Sequence, residues 1–409
     1  MRVLLSTFGS RGDVEPMVAL GASLIAQGAE AIVSAPPDQE FIDLFVRADV
    51  PFAPAFYSVR QWITDKAKPS APSDFGKLAA EVMAGQHAAL DVLAKGCDVI
   101  VATGLFPSTA AAQAVAEKRG IRFLHTNYCP VYLPSTHHRP ALWQSRPFPP
   151  GVTDPRALWD HNAETMNLLF GAALNAHRST LGLRALANVR DHVQGDRPLL
   201  ASDSIIWLWQ PTDLCHPAQT GAWVLPDARP LPDDLLAFLD AGDPPVYAGF
   251  GSMAIQDSAD AARTAIEAIR GHGRRAVIAR GWANLALIDG EDDCFITGDI
   301  NQQALFPRVA AVIHHGGAGT TTAAARAGAP QVIVPQVADQ PHWAARIAAL
   351  GIGAAHAGAI ATPASLSEAL AIALAPETRT RAAEIARQMS TDGADIAADL
   401  LLSAPSGPR

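Results

Sequence analysis

The sequence has few cysteines, few aromatic residues, no excess of basic residues and no long apolar run. Its four cysteines, at positions 97, 129, 215 and 294, form no Cys-x-x-Cys pair, which argues against a zinc site or a disulfide framework. The 31 basic residues are outnumbered by 40 acidic ones, giving a net charge of −9, so we expect no nucleic acid partner. No stretch approaches the roughly 18 apolar residues of a membrane helix, and the amino terminus lacks a signal-peptide pattern. We therefore expect a soluble cytoplasmic protein without stable membrane insertion.

The length of 409 residues, with 49% of them apolar, indicates two domains. Buried strands are predicted at residues 2–7, 29–35, 98–102 and 122–126, with helices at 14–27 and 107–118 between them. The alternation restarts near residue 245 with strands at 275–279, 294–297, 311–314 and 331–334. Strands that alternate with helices predict an α/β fold with two Rossmann-like, doubly wound parallel-sheet domains facing an interdomain cleft. The predicted boundaries are 1–214, 215–385 and a terminal helix at 386–409 that packs back on the first domain.

The strongest motif is His-His-Gly-Gly-Ala-Gly-Thr-Thr at residues 314–321, between a predicted strand and a predicted helix. Its three glycines allow close approach of a ligand, and the helix start offers backbone N–H groups and the positive end of the helix dipole. His315 and the hydroxyls of Thr320 and Thr321 add possible donors to a diphosphate. The alternative is a plain capped helix after a tight turn.

Acidic residues follow two other predicted strands. Asp339 and Gln340 stand at a strand-to-helix junction, where an acid beside an amide suits sugar hydroxyls; the alternative for Asp339 is a helix N-cap. The first loop, residues 9–13, lacks the third glycine of a dinucleotide fingerprint, and no acidic ribose ligand ends the second strand, so NAD is disfavoured. Asp13 there is either a carboxylate that faces the cleft or a first-turn acid that complements the helix dipole.

These motifs resemble those of a known family. The run from His314 to Gln340, with Gln302 and Trp282 upstream, is similar to the nucleotide-sugar signature of inverting, metal-independent glycosyltransferases with the two-domain GT-B fold. The opening Gly-Ser-Arg-Gly-Asp-Val-Glu-Pro at 9–16, with the segments at 249–252, 280–282 and 219–223, resembles more narrowly the vancomycin-type glycopeptide glycosyltransferases of actinobacteria. Sterol glucosyltransferases share the opening motif.

The resemblance implies a role for each matching residue. Asp13 would be the general base, with Ser10 and Gly12 shaping the loop around the reacting hydroxyl. The first domain would bind the acceptor and the second the nucleotide sugar. The implied donor-binding residues are Ser252, Arg280, Trp282, Gln302, His315, Gly317, Gly319, Thr320, Asp339 and Gln340. In the plant version of the motif a Trp stands at Ala318 and an Asn at Gly319, so those side-chain contacts are absent here, and residues 126–150 match no acceptor pattern.

The resemblance therefore implies an inverting, metal-independent glycosyltransferase of antibiotic biosynthesis. It would move a hexose from a dTDP- or UDP-sugar to a hydroxyl of a natural-product aglycone, either a glycopeptide, a polyketide or another polyphenol. The donor is a co-substrate, so no cofactor is expected, and the chain has no Asp-x-Asp pair for a metal. The alternatives are a sterol- or flavonoid-type glucosyltransferase, a GT-B-fold sugar-nucleotide epimerase, and a non-catalytic helper of a partner transferase. The acceptor, the sugar and the oligomeric state stay open.

Overall fold

The computed structural model describes residues 1–65, 72–143, 145–250, 258–280 and 291–403. The chain divides into two compact units. The first contains Met1–Asp203, Trp209–Leu225 and the segment that begins at Ser390; the second contains Ser204–Leu208 and Pro226–Met389. The boundaries predicted from the sequence lie after residues 214 and 385, whereas this division lies after residues 225 and 389.

In the described residues the chain forms thirteen strands, and all of their pairings are parallel. They are β1 Arg2–Phe8, β2 Glu30–Ala35, β3 Phe52–Pro54, β4 Val99–Gly104, β5 Arg122–Asn127, β6 Leu199–Leu200, β7 Ala218–Gln219, β8 Val246–Gly249, β9 Ala276–Ala279, β10 Cys294–Thr297, β11 Ala311–His314, β12 Gln331–Ile333 and β13 Gly353–Ala355.

Helices connect most of these strands. They are α1 Arg11–Ala26, α2 Gln39–Ala48, α3 Val59–Asp65, α4 Pro72–Leu93, α5 Phe106–Arg119, α6 Pro155–Met166, α7 Ala172–Thr180, α8 Val189–Gln194, α9 Asp233–Asp240, α10 Ser258–Gly271, α11 Gln302–Leu305, α12 Ala318–Arg326, α13 Gln340–Ala349, α14 Pro363–Ala373, α15 Pro376–Ala386 and α16 Gly393–Ser403. A π-helical stretch, Asn167–Gly171, joins α6 to α7.

The sheet of the first unit has the strand order β3-β2-β1-β4-β5-β6-β7, and that of the second has β10-β9-β8-β11-β12-β13. Both orders reverse direction beside their first strand, as in doubly wound nucleotide-binding folds, so the prediction of two Rossmann-like sheets is confirmed. Ligands of such sheets bind outside the carboxyl ends of the strands at the reversal point. These points lie between β1 and β4 in the first unit and between β8 and β11 in the second.

The central strands are buried because helices cover both faces. Val3, Leu4, Leu5 and Phe8 of β1 are all fully buried. Helix α5 buries a row of alanines and packs closely on α4, which fits the low aromatic content of 6%. The core of the first unit is therefore built largely from small side chains that bring helices close together.

Residues 38–97 carry no predicted element, but the structure places α2, β3, α3 and α4 there. Helix α4 contains two glycines, which weaken a helical pattern in the sequence. Gly85 is required by packing, because a Cβ at this position would lie 2.3 Å from two ring carbons of Phe56. Terminal helix α16 packs on α1 within the first unit, where Ser23 donates to Asp395. None of the helices in the described ranges is long and apolar enough to cross a membrane.

Candidate active site

The loop after β11 begins with two histidines in different environments. His314, the last residue of β11, is fully buried, and this burial lowers its pKa to about 3, so its ring is neutral near pH 7. The Gly316 amide donates to His314 Nδ1 at 3.1 Å, so the ring proton lies on Nε2 and is donated to Gln331 Oε1 at 2.9 Å. Gln331 in turn donates to the Thr321 carbonyl. His314 therefore joins the ends of β11 and α12 to β12 and faces the core.

His315, one residue further on, lies outside the strand and is half-buried. Burial lowers its pKa to about 4, so this ring is also neutral near pH 7. Its Nδ1 is buried and has no hydrogen-bond partner among the residues that the structure describes. Buried polar atoms without partners are uncommon in folded proteins and need an explanation. His315 is thus suited to give a neutral hydrogen bond to a ligand.

Two glycines shape the backbone beside His315. Gly316 has a φ of 92°, and a Cβ there would lie 2.6 Å from a methyl carbon of Ile333. A Cβ at Gly317 would lie 2.7 Å from His315 Nε2, so the absence of a side chain allows the imidazole to lie over the start of α12. Gly316 is needed for its left-handed backbone, and Gly317 is needed for the close approach of the His315 ring.

Helix α12 begins at this loop with its first turn open. Gly317 is the N-cap, and no side chain caps the helix. In the first turn, Gly319 is exposed, with nothing within 4 Å of the position that a Cβ would take, and Thr320 is half-buried. The N–H groups of a helix start attract anions through hydrogen bonds and the helix dipole. The arrangement of His315, the glycines and this turn can therefore hold the oxygens of a phosphate group.

The neighbouring loop, after β12, carries Asp339. This residue occupies the N-cap position of α13, but its side chain does not cap the helix. Its Oδ2 instead accepts from the indole Nε1 of Trp343 at 2.8 Å. The structure therefore disfavours the interpretation of Asp339 as a plain helix cap. Its predicted contact with a sugar stays a prediction.

Gln340, the first residue of α13, is buried and holds its own loop in place. Its Oε1 accepts from the backbone amides of Gln336 at 2.7 Å and Val337 at 3.0 Å. Ala338, which lies between Val337 and Asp339 in this loop, has a φ of 60°, which is unusual for a residue with a side chain. A Cβ at Gly316 would lie 3.3 Å from the Gln340 carbonyl, so the loops after β11 and β12 touch each other. The predicted sugar contact of Gln340 also stays a prediction.

The other predicted donor residues follow neighbouring strands. Arg280 is exposed just after β9, and Gln302 is half-buried at the start of α11, after β10. Because the strands are parallel, both residues lie at the same sheet edge as His315 and Asp339. Ser252 and Trp282 lie outside the described residues.

In the first unit Asp13 lies in the loop and helix start that follow β1. Its Oδ2 accepts from the Ser10 amide at 2.8 Å, which is the carboxylate half of a capping box, and also from the Ser10 hydroxyl at 3.4 Å. A Cβ at Gly9 would lie 2.1 Å from the same oxygen, so Gly9 makes room for the carboxylate. Gly12 is exposed. Asp13 thus has a structural role at the start of α1, which does not prevent it from acting as a base.

Sequence reasoning missed Tyr128, which follows β5. Its hydroxyl donates to the Asp13 carbonyl at 3.2 Å, and burial followed by the charge of Asp13 raises its pKa well above the usual value, so it remains a donor. The Trp223 ring meets Tyr128 edge to face at 6.2 Å and donates its N–H to Thr220. The only signal in the sequence was an aromatic residue after a strand. His125 lies within β5 itself and is buried, which limits its access to an acceptor hydroxyl.

Among the residues that the structure describes, no group of three or more His, Cys, Asp or Glu side chains is placed to hold a metal ion. The two acids nearest to an Asp-x-Asp pattern have different partners. Glu15 accepts from Arg11 Nε at 2.7 Å, whereas Asp13 accepts from Ser10.

Comparison with known proteins gives the same family on several grounds. Residues 292–400 match the family described as erythromycin biosynthesis protein CIII-like, C-terminal domain. The chain is 51% identical over 404 residues to the glycosyltransferase GtfE of Amycolatopsis orientalis, covering 99% of this chain and 98% of the relative. It is 48% identical over 406 residues to the vancomycin aglycone glucosyltransferase of the same organism, with the same coverage.

Solved structures show the same fold at low sequence identity. The glycotransferase of kitacinnamycin aligns with a TM-score of 0.73 at 19% identity, covering 98% of both chains. The glycosyltransferase VinC in complex with dTDP aligns with a TM-score of 0.65 at 19% identity, covering 95% of both chains. The chain therefore belongs to the GT-B glycosyltransferase family, close to the vancomycin-type glycopeptide glycosyltransferases, and it is a hexosyltransferase that uses a nucleotide-sugar donor.

Proposed function

We propose that this enzyme transfers a hexose from a dTDP- or UDP-sugar to a hydroxyl of a glycopeptide aglycone, with inversion at the anomeric carbon and without a metal ion. The acceptor class is supported by the 48% identity to a vancomycin aglycone glucosyltransferase. A dTDP donor is supported by the complex of VinC with dTDP. We assign the acceptor to the first unit and the donor to the second, and we propose no cofactor besides the donor.

The observation that carries the donor site is the loop at residues 314–320. It lies at the reversal point of the second sheet, where ligands of doubly wound sheets bind. It combines the uncapped start of α12 with His315, whose buried Nδ1 has no partner in the part of the chain described here. We assign the donor diphosphate to this loop and the hexose hydroxyls to Asp339 and Gln340.

The reaction follows from these assignments. Asp13 accepts the proton of the acceptor hydroxyl as the hydroxyl oxygen forms its bond to the anomeric carbon. The bond from that carbon to the diphosphate breaks, and its electron pair leaves with the nucleoside diphosphate. Backbone N–H groups of α12 and the His315 ring stabilise the charge that develops on the leaving oxygens. Attack opposite the leaving group converts an α-linked D-sugar donor to a β-linked product.

A transfer assay with the full chain tests this proposal. The enzyme is incubated with dTDP-glucose or UDP-glucose and vancomycin aglycone, with and without excess EDTA, and the product is identified by mass and by the coupling of its anomeric proton. We expect a β-linked hexoside in both conditions. An α-linked product, or a loss in EDTA that magnesium or manganese restores, contradicts the proposed mechanism.

Two further arms separate the alternatives. Turnover of the donor without an acceptor would indicate an epimerase rather than a transferase. Replacing the aglycone by a polyketide, a flavonoid or a sterol tests the other acceptor classes, and a preference for one of them over the glycopeptide contradicts the proposed acceptor. Absence of transfer in every arm, with intact donor binding, would favour a non-catalytic helper.

A further inference from the structure

Trp343 is a buried aromatic residue in the second turn of α13 whose only polar group meets a proposed sugar-binding side chain. The residue is 1% exposed, and its indole N–H donates to Asp339 Oδ2 at 2.8 Å. A buried indole N–H usually requires a partner, and a bond to a carboxylate is stronger than a bond between neutral groups. This bond fixes one oxygen of Asp339 relative to the helix.

The position of Trp343 is itself set from outside its helix. Trp207, from the short segment Ser204–Leu208 of the same unit, meets the Trp343 ring edge to face at 6.0 Å and 87°. The segment is anchored to α13, because Arg346 Nε and Nη2 both donate to the Ile206 carbonyl at 3.0 and 2.9 Å. The indole is therefore held in one orientation by packing and by this anchor.

The loop that carries Asp339 is held on its other side as well. Ala338 has a left-handed backbone, and the Gln340 oxygen binds the Gln336 and Val337 amides. An unfavourable backbone conformation persists only where surrounding contacts determine it, and such places cluster at functional sites. The carboxylate orientation is thus fixed before any ligand binds, next to the loop that we assign to the diphosphate.

We propose that Trp343, held by Trp207, is a positioning residue that orients the Asp339 carboxylate toward the donor hexose and so contributes to the choice of sugar. The inference rests on the proposed function, since it requires Asp339 to contact the hexose. A carboxylate fixed through one oxygen accepts a hydroxyl from a limited set of directions. Sugar nucleotides that differ only in the configuration of the contacted hydroxyl are therefore distinguished by this geometry.

The test is a double-mutant cycle with Trp343→Phe and Asp339→Ala, measured as kcat/KM for the preferred sugar nucleotide. Trp343→Phe keeps the ring in the core and removes the N–H. We expect it to lower kcat/KM by about tenfold, as for loss of one hydrogen bond to a charged group, and to reduce the preference over an epimeric sugar nucleotide. The affinity of Trp343→Phe for free dTDP should stay within about twofold of the wild type, because we assign the diphosphate of dTDP to the loop at residues 314–320. In the Asp339→Ala background, Trp343→Phe should have no further effect.

Three outcomes separate the possibilities. Equal effects of Trp343→Phe in both backgrounds, or weaker dTDP binding in parallel with transfer, would show a general packing role and overturn the inference. If Asp339→Ala alone leaves kcat/KM unchanged, Asp339 does not contact the hexose, and the role proposed for that residue is wrong. Trp207→Phe is the second variant if Trp343→Phe does not fold, and an effect that persists without the Asp339 carboxylate overturns the inference there too.

Discussion

Replacing Asp13 by Asn separates the two roles that this residue has in the structure. Asn keeps an oxygen that can accept from the Ser10 amide, a bond that measures 2.8 Å in the native loop. It removes the negative charge at the start of α1, which should cost only about 0.3–1 kcal/mol of stability. It also removes the basicity, and loss of a general base typically costs about 10²–10⁴ in rate. The expected rate effect is therefore much larger than the expected stability effect.

The assay pairs turnover at saturating donor and acceptor with the melting temperature. A stability loss of 1 kcal/mol lowers the melting temperature of a unit this size by roughly 2–4 °C. Glu15→Gln is the matched control on the same helix, since it removes a half-buried ion pair with Arg11, usually worth about 0–1 kcal/mol, and should leave turnover normal. We expect Asp13→Asn to melt within a few degrees of the wild type and to lose transfer by a hundredfold or more. Turnover near that of Glu15→Gln would refute Asp13 as the base.

Three further predictions concern the second unit. His315→Ala should weaken dTDP binding by about two- to tenfold near pH 7.5, as expected for the loss of one neutral hydrogen bond. The difference in dTDP affinity between wild type and variant, measured by titration calorimetry, should grow toward pH 5.5, because a bound diphosphate raises the depressed pKa of His315. Equal affinities at every pH would contradict the assignment. Asp339→Ala should lower transfer while leaving dTDP affinity nearly unchanged, and equal losses of both would move Asp339 to the nucleotide. The melting temperature should fall as the pH is lowered from 6.5 to 4.5, because the unfolded chain protonates His314 and His315 there while the folded chain largely does not. Each histidine lowers the free energy of unfolding by at most about 1.4 kcal/mol per pH unit, and a flat calorimetric profile would contradict the low pKa values.

Much of the fold followed from local signals in the sequence. The helix after β11 begins at Ala318 with Gly317 as its N-cap, within the strand-to-helix motif at residues 314–321 that the sequence analysis singled out. Strands β10 and β11 match their predicted bounds, since short apolar runs between glycine, proline and polar residues have few other conformations. Helix α4 was missed because its apolar pattern is weak and it contains two glycines.

The sequence predicted only part of the candidate site. The sequence placed His314 and His315 side by side without distinguishing them, and it gave Asp339 two roles. The structure separates the histidines through strand geometry, which turns His314 toward Gln331 in the core and leaves His315 at the loop. It also shows that the Asp339 carboxylate accepts from the indole N–H of Trp343 and not from the backbone amides at the start of α13.

The sequence by itself determined what short-range chemistry can specify: parallel sheets from alternating elements, and a glycine-rich helix start beside a histidine. Only the tertiary structure decided the polar contacts between residues that are distant in the chain, because no local pattern specifies them. His314 and Gln331 are 17 residues apart, and Tyr128 and Asp13 are 115 apart. Backbone preferences act over a few residues, whereas the partner and pKa of a buried group depend on how whole elements pack around it.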